Sequence, residues 1–287
     1  VVTHGRILDR RRLELIVDGA DATAVLAALD GYRNADGGYG WGLEPDLRSP
    51  ESQPAAAMHA LEVFAEVAPV TTPRAVELCD WLDASSLADG GLPFALPIAD
   101  PAGCAPWWAE LDTTTSSLQI TAAVTAEAHR AAHHHPGVAA HPWLARATRW
   151  CLAAIADLGA APHAYELLFA IRFLDATAEA EPDAAPLLDR LGQFLPADGV
   201  VAVQGGVEGE AHRPLDFAPR PGGAARRLFA DAIIAEELRR LAQGQRPDGG
   251  WTVDFVPASP AATLEWRAYA TVRAIALLNA HERRGSG

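Results

Sequence analysis

The sequence predicts an all-α fold in which helix pairs repeat every fifty residues or so and close into an α/α toroid. Three observations lead there. The stretch Ala35-Asp36-Gly37-Gly38-Tyr39-Gly40-Trp41 returns as Asp89-Gly90-Gly91-Leu92, as Asp198-Gly199-Val200 and as Asp248-Gly249-Gly250-Trp251. The copies stand 53, 109 and 50 residues apart, so the long interval holds one further copy whose loop has lost its glycines. Between the loops the apolar residues recur at helical spacing, and only Val200 to Val207 alternates in a way that suggests a short hairpin. Ankyrin, TPR and HEAT patterns are missing. A glycine loop feeding an aromatic at one end of each pair suits a closed ring whose loops converge on one mouth.

From Arg6 to Tyr32 the spacing predicts two short helices divided by Gly19, the second capped by Asp21. After the first glycine loop, residues Leu43 to Pro50 cross on a proline-fixed path to a helix from about Ser52 through Val67. Thr72-Pro73 opens another through Leu82, with proline at its first position. The second loop is long, reaches Trp107-Trp108, and gives way at Asp112-Thr113-Thr114-Thr115 to a helix ending near Ala132. Pro142 to Ala156 and His163 to Ala178 pair across Asp157-Leu158-Gly159, the degenerate copy. Pro182 to Phe194, Ala225 to Gln243 and Ala261 to His281 complete the helices, and residues 1–284 read as one domain with a short tail at 285–287.

A net charge of −14 excludes a broad basic surface, and with it generic nucleic-acid binding or docking on anionic lipid. All 23 basic side chains are arginine, so no lysine nucleophile or Schiff base is available. Cys79, Cys104 and Cys151 are too scattered for a disulfide framework or a zinc cluster, and no apolar run is long enough to span a bilayer. These features place the chain in the cytoplasm, without an integral membrane segment. Three consecutive histidines, His133 to His135, point around a helix axis and cannot share one ion, so no metal site is assigned.

Gln245-x-x-Asp248-Gly249-Gly250-Trp251 resembles the QW repeat of squalene cyclases, terpenoid cyclases and prenyltransferase β subunits, and Tyr32-x-Asn34-x-Asp36-Gly37-Gly38-Tyr39 is a looser copy. Glu110-Leu111-Asp112-Thr113-Thr114 resembles the Asp-x-Asp-Asp acid motif of class II terpene cyclases, and is closer to the Asp-x-Asp-Thr-Thr form of drimane-type enzymes. The resemblance implies protonation-initiated cyclisation of an isoprenoid, with Asp112 as general acid and Glu110, longer by one methylene than the family's aspartate, as the carboxylate that prepares it. Alkene protonation requires a carboxyl that is neutral when substrate arrives, and a cation that meets aromatic faces rather than nucleophiles.

Trp41, Trp107, Trp108, Trp251, Trp266 and Tyr39 lie in or beside the loops and are the candidates for those faces. The charged segments Glu44, Asp46, Arg48 and Glu265, Arg267 are candidate substrate contacts. A diphosphate substrate would draw on Arg48, Arg213, Arg220 or Arg267, with Mg²⁺ shared by Glu44 or Asp46. Class II cyclases set their acid between two helical domains, so closure of this cavity would call for a second copy or a partner domain. Two further readings stay open. One is a sugar-acting toroid that takes its carboxylates from Glu44, Asp46, Asp112, Asp254 and Glu265. The other is a non-catalytic toroid that binds a lipid or a protein, with Asp112 serving only to cap its helix.

Overall fold

The helical spacing of the sequence becomes helix almost throughout the computed structural model, which describes residues 1–109 and 112–285. In chain order the helices are α1 (Ile7–Asp18), α2 (Ala22–Leu29), α3 (Pro54–Glu66), α4 (Arg74–Ser85), α5 (Pro106–Ala109), α6 (Leu118–Ala132), α7 (Pro136–Ala139) and α8 (Pro142–Ala156). There follow α9 (Ala164–Thr177), α10 (Ala184–Gly192), α11 (Pro214–Phe217), α12 (Asp231–Gln243) and α13 (Pro260–Gly285). Among the described residues, paired strand is confined to β1 (Val201–Ala202) and β2 (Ala211–His212), antiparallel with Val201 opposite His212. The chain divides into two compact units: a central one, Asp21–Gly159, and a terminal one that joins Val1–Ala20 to Ala160–Gly287. No helix among the described residues is long and apolar enough to cross a membrane.

Most boundaries follow the local chemistry. Gly19 ends α1 at φ 64, a left-handed conformation in which a Cβ would be strained. Asp21 caps α2 through the Thr23 amide, and α8 starts on Pro142 with the His141 ring accepting from the Trp143 amide. Two boundaries differ most from the sequence reading. The long helix α6 begins at Leu118 and is capped by Ser117, because the Asp112 carboxylate is turned back onto Thr114 and Thr115 instead. The helix expected from Ala225 starts only at Asp231. Asp175 captures the Ala225 amide and the Arg220 guanidinium, which leaves residues 224–228 as a 3₁₀ turn.

The core of the central unit is the pairing of α3 with α6. Ala55, Ala56, Ala57 and Ala60 on one helix and Ala122, Ala123, Ala126 and Ala128 on the other are all buried. Such small side chains let two helix axes approach closely, while Leu61, Phe64, Val124 and Ile120 fill the space beside them. In the terminal unit α1 lies against α13, with Arg12 buried beneath the Tyr269 ring, 5.4 Å from its centre.

The glycine loops recur as one three-dimensional joint. Asp36 accepts from the Gly38 amide at 2.9 Å, the Ser52 hydroxyl at 2.8 Å and the Trp81 indole at 3.1 Å. Asp89 does the same with Gly91 at 3.1 Å, Ser116 at 2.6 Å and Trp150 at 3.0 Å. Each carboxylate thus ties its own turn to the segment before the next helix and to an indole on a neighbouring helix, α4 or α8. A Cβ on Gly38 would stand 2.5 Å from Ser52 and 2.6 Å from Trp81, and one on Gly91 would stand 2.6 Å from Ser116 and 2.7 Å from Trp150. In the terminal unit Asp248 keeps the Gly250 amide but takes Arg267 at 2.7 Å in place of an indole.

Two glycine-to-alanine changes separate packing from conformation. Gly91→Ala has no left-handed φ to lose but no room for a methyl, and it should cost about 1–3 kcal/mol by overpacking. Gly19→Ala has open space around it and should cost only the left-handed penalty of about 1–2 kcal/mol. In urea unfolding, Gly91→Ala combined with Trp150→Ala should recover part of the loss, whereas Gly19→Ala should be indifferent to Trp150.

Candidate functional site

In the central unit the sequence-derived candidates separate into core and surface. Tyr39 is wholly buried, edge-on to Phe64 at 6.3 Å, and burial raises its phenol pKa. Trp108 is buried and stacked on Phe94 at 4.8 Å. Both are packed in the core. Trp41 and Trp107 are exposed, 59% and 50% respectively. Asp46 is buried, Arg48 is half-buried, and the Asp46 carbonyl accepts from the Ala105 amide at 2.8 Å, which ties the loop after Trp41 to the loop before Trp107. Glu110 lies outside the described residues.

Among the described residues Asp112 has the setting of a turn carboxylate, while Glu110, the carboxylate expected to prepare it as an acid, lies outside them. Asp112 is exposed, and hydroxyls of Thr114 and Thr115 together with the Thr114 amide lower its pKa to about 2. A proton donor needs the opposite, burial or a facing negative charge. Nor does it cap α6, whose cap is Ser117.

Glu44 is likewise not placed to share a cation, because its Oε2 meets His59 Nε2 at 2.8 Å. The other ring nitrogen of His59 lies 3.5 Å from Glu62. Burial opposes the imidazolium, but the hydrogen bonds and charges of Glu44 and Glu62 outweigh it and raise the His59 pKa to about 9. With Glu44 and His59 both buried, this group is a tether between the loop and α3.

In the terminal unit, Trp251 is buried with its indole donating to the Leu241 carbonyl, and Arg267 is engaged by Asp248; both belong to the loop joint. Arg220 pairs with Asp175 at 3.0 Å, and Arg213 stands 3.6 Å from Glu237, so the sequence-derived anion clamps are occupied. Glu265 and Trp266 are half-buried at the start of α13, where Trp266 meets Phe255 and Tyr269 edge-on at 5.2 and 5.5 Å.

The titratable groups that do converge come from four segments of this unit. The hairpin and α11 supply Glu210, His212 and Asp216, α9 supplies Tyr165 and Arg172, α13 supplies Arg273, and the loop before α13 supplies Asp254. Asp216 accepts from Arg273 at 2.7 Å and from the Arg213 amide at 2.8 Å, while Arg172 donates to the Asp216 carbonyl at 2.8 Å. Burial opposes its charge, yet Arg273, that amide, His212 and Arg172 hold the Asp216 pKa below its usual value. Asp254 goes the other way. Its carboxyl is raised by crowding first and then by the charge of Asp216, with Glu210 adding to it, although the residue itself retains an exposed surface. Tyr165 donates to Glu210 at 3.1 Å, and its ring meets His212 at 4.4 Å. Burial lowers the His212 pKa to about 4, so the imidazole is neutral, and its Nε2 has no hydrogen-bond partner among the described residues.

Of this group the sequence singled out Asp254 alone. The available signal for the rest was Tyr165, Phe169 and Arg172, which recur at one-turn spacing on α9, and Trp266, Tyr269 and Arg273, which do the same on α13.

No protein-family model and no curated protein matches the chain. A solved structure of a protein from Actinoplanes is similar in fold, with a TM-score of 0.56 and 17% identity over 96% of this chain and 89% of that one. At that identity the likeness concerns the helical architecture.

The Glu44–His59–Glu62 tether makes stability depend on pH. A histidine whose folded pKa lies above its unfolded value stabilises fully below the unfolded pKa of about 6.5 and ceases to do so as pH rises through the folded value. The wild type should therefore lose on the order of a few kcal/mol between pH 6.5 and 10 relative to His59→Gln. Parallel urea titrations at several pH values measure the difference, and equal slopes for the two proteins would contradict it.

Proposed function

We propose that this chain is an acid–base enzyme whose helix pairs close over residues 1–284 into one α/α toroid, with Asp254 and Asp216 as its proton-transferring pair. The observation that carries the reading is the opposite setting of two carboxyls in one cluster. Asp216 is held ionised by Arg273 at 2.7 Å, while Asp254 is pushed toward its neutral form by crowding and by Asp216 itself. Titratable groups whose surroundings drive their pKa values apart carry the acid and base roles in enzymes of this kind.

The Tyr165 hydroxyl, Glu210, His212 and Arg172 give the cluster a dense polar lining, which favours a hydroxyl-rich substrate such as a sugar over a hydrocarbon chain. Asp254 then donates its proton to the bridging oxygen as the bond to the sugar carbon breaks. Asp216 takes a proton from the attacking water, Arg273 keeps Asp216 in place, and the neutral imidazole of His212 supplies a hydrogen-bonding nitrogen beside them.

One observation favours a second reading. Phe255 follows Asp254 directly and begins the aromatic run Phe255, Trp266, Tyr269, a wall suited to a carbocation. With Asp254 in the place expected for Asp112, the same acid would start the isoprenoid cyclisation that the repeat resemblance implies, and Mg²⁺ would enter only with a diphosphate substrate.

Turnover assays with an oligosaccharide panel, and with farnesyl diphosphate, geranylgeranyl diphosphate and squalene, decide between the two. On whichever substrate reacts, Asp254→Asn and Asp216→Asn should each lower kcat by ~10²–10⁴, and Asp112→Asn should leave it unchanged. The rate should fall at low pH as Asp216 takes up a proton and at higher pH as Asp254 loses one. Turnover that survives both substitutions would overturn the assignment.

A further inference from the structure

Trp41 is the non-glycine residue with a left-handed backbone among the described residues, at φ 57. For a bulky side chain this is a true outlier, and such strain persists only where the surroundings impose it. They do so here. The Trp41 amide donates to the Ser49 carbonyl at 2.8 Å, and its indole donates to Asn34 at 2.7 Å, while Asn34 is itself anchored to Pro50 and Ser52. The neighbouring Gly40 leaves the backbone no slack, since a Cβ there would lie 2.3 Å from the Glu51 carbonyl. This strained residue gains little from burial, being 59% exposed.

The second copy of the loop shows what an aromatic at this position does when it is covered. Five residues after Asp89 stands Phe94, and Trp108 stacks on it at 4.8 Å and 27°. Five residues after Asp36 stands Trp41, and no ring of the described residues packs on it. With its indole N–H already spent on Asn34, Trp41 offers a flat π face held in fixed orientation. Trp107, 50% exposed, stands on α5, which follows directly on the Ala105 amide bonded to the Asp46 carbonyl.

We propose that Trp41, assisted by Trp107, is a platform on the central unit on which a pyranose ring of a sugar ligand stacks. The local charges select that ligand. The Arg48 guanidinium stands over Gly42, its carbon 3.7 Å from where a Cβ would be, and disfavours a cation beside the indole. The ionised Glu51 on the same loop and the net charge of −14 disfavour an anion. A surface of two indoles is far below the ~800 Å² per partner of a stable protein interface. What fits is a neutral ring with an apolar face and a polar edge.

The platform rests on the sugar reading of the acid–base site for its link to turnover, and the two are tested separately. Binding is measured by calorimetry and tryptophan fluorescence on the full chain carrying Asp254→Asn, with cellohexaose, xylohexaose and chitohexaose as probes. At least one hexasaccharide should bind and shift the fluorescence, and Trp41→Gly should weaken it tenfold or more while Tm stays level or rises, because glycine removes the strain. Trp107→Ala should weaken binding less. A lowered Tm in Trp41→Gly, unchanged affinity in that variant, or no binding by any of the three sugars would overturn the platform. Sugar binding that depends on Trp41, together with turnover that survives Asp254→Asn, would overturn the acid–base reading and leave the platform standing.

Discussion

One carboxylate at the head of each glycine loop organises the central unit. Asp36 and Asp89 each collect a backbone amide, a serine hydroxyl and an indole N–H, and those donors come from three separate stretches of chain. A charge that receives three hydrogen bonds in this way is well satisfied without a counter-ion. The glycine two residues later must then lie flat against the same serine and the same indole, which is why no side chain fits there. The path of the loop, the start of the following helix and the orientation of the tryptophan-bearing helix are settled together. In the terminal unit Arg267 replaces the indole at Asp248, so the joint there becomes ionic and more exposed.

This arrangement sorts the apolar side chains by their distance from the aspartate. Three residues on, at Tyr39, Leu92 and Trp251, the side chain points into the core. Five residues on, Trp41 and Phe94 are turned outward, one bare and one covered by Trp108. The loops are therefore scaffold at their glycines and open to ligand only beyond them. Charge follows a comparable division. The buried carboxylates Glu44 and Asp175 each meet a basic side chain and fasten one segment to another, while Asp9 meets Arg6 within one turn. Asp254 differs: partial burial and then the charge of Asp216 raise its carboxyl above the usual aspartate value.

The helical class, the joint and most helix boundaries were legible in the sequence because they depend on local chemistry: apolar spacing, Gly19 and Asp21 at their caps, and the repetition of Asp-Gly-Gly. The partners of Asp36 and Asp89 were not, since Trp81 and Trp150 lie 45 and 61 residues away and nothing local marks them. Asp112 was ambiguous for a related reason. An aspartate followed by three threonines reads equally as an acid motif, a helix cap or a turn, and the choice depends on whether the carboxylate finds its own threonines, as it does here. The Asp216 cluster was invisible because its members are spread from Tyr165 to Arg273 and converge only through tertiary structure. His59 was passed over as one polar residue in an alanine-rich helix, although Glu44 fifteen residues earlier was already in view.

The most direct measurement of the central claim is the protonation of Asp254 itself, followed by carboxyl-carbon NMR titration in the intact protein and in Asp216→Asn. The account predicts that Asp254 titrates above the 3.8 of an unperturbed aspartate and moves back toward it when the Asp216 charge is removed. An Asp254 that titrates at or below 3.8, or that does not respond to Asp216→Asn, would contradict it.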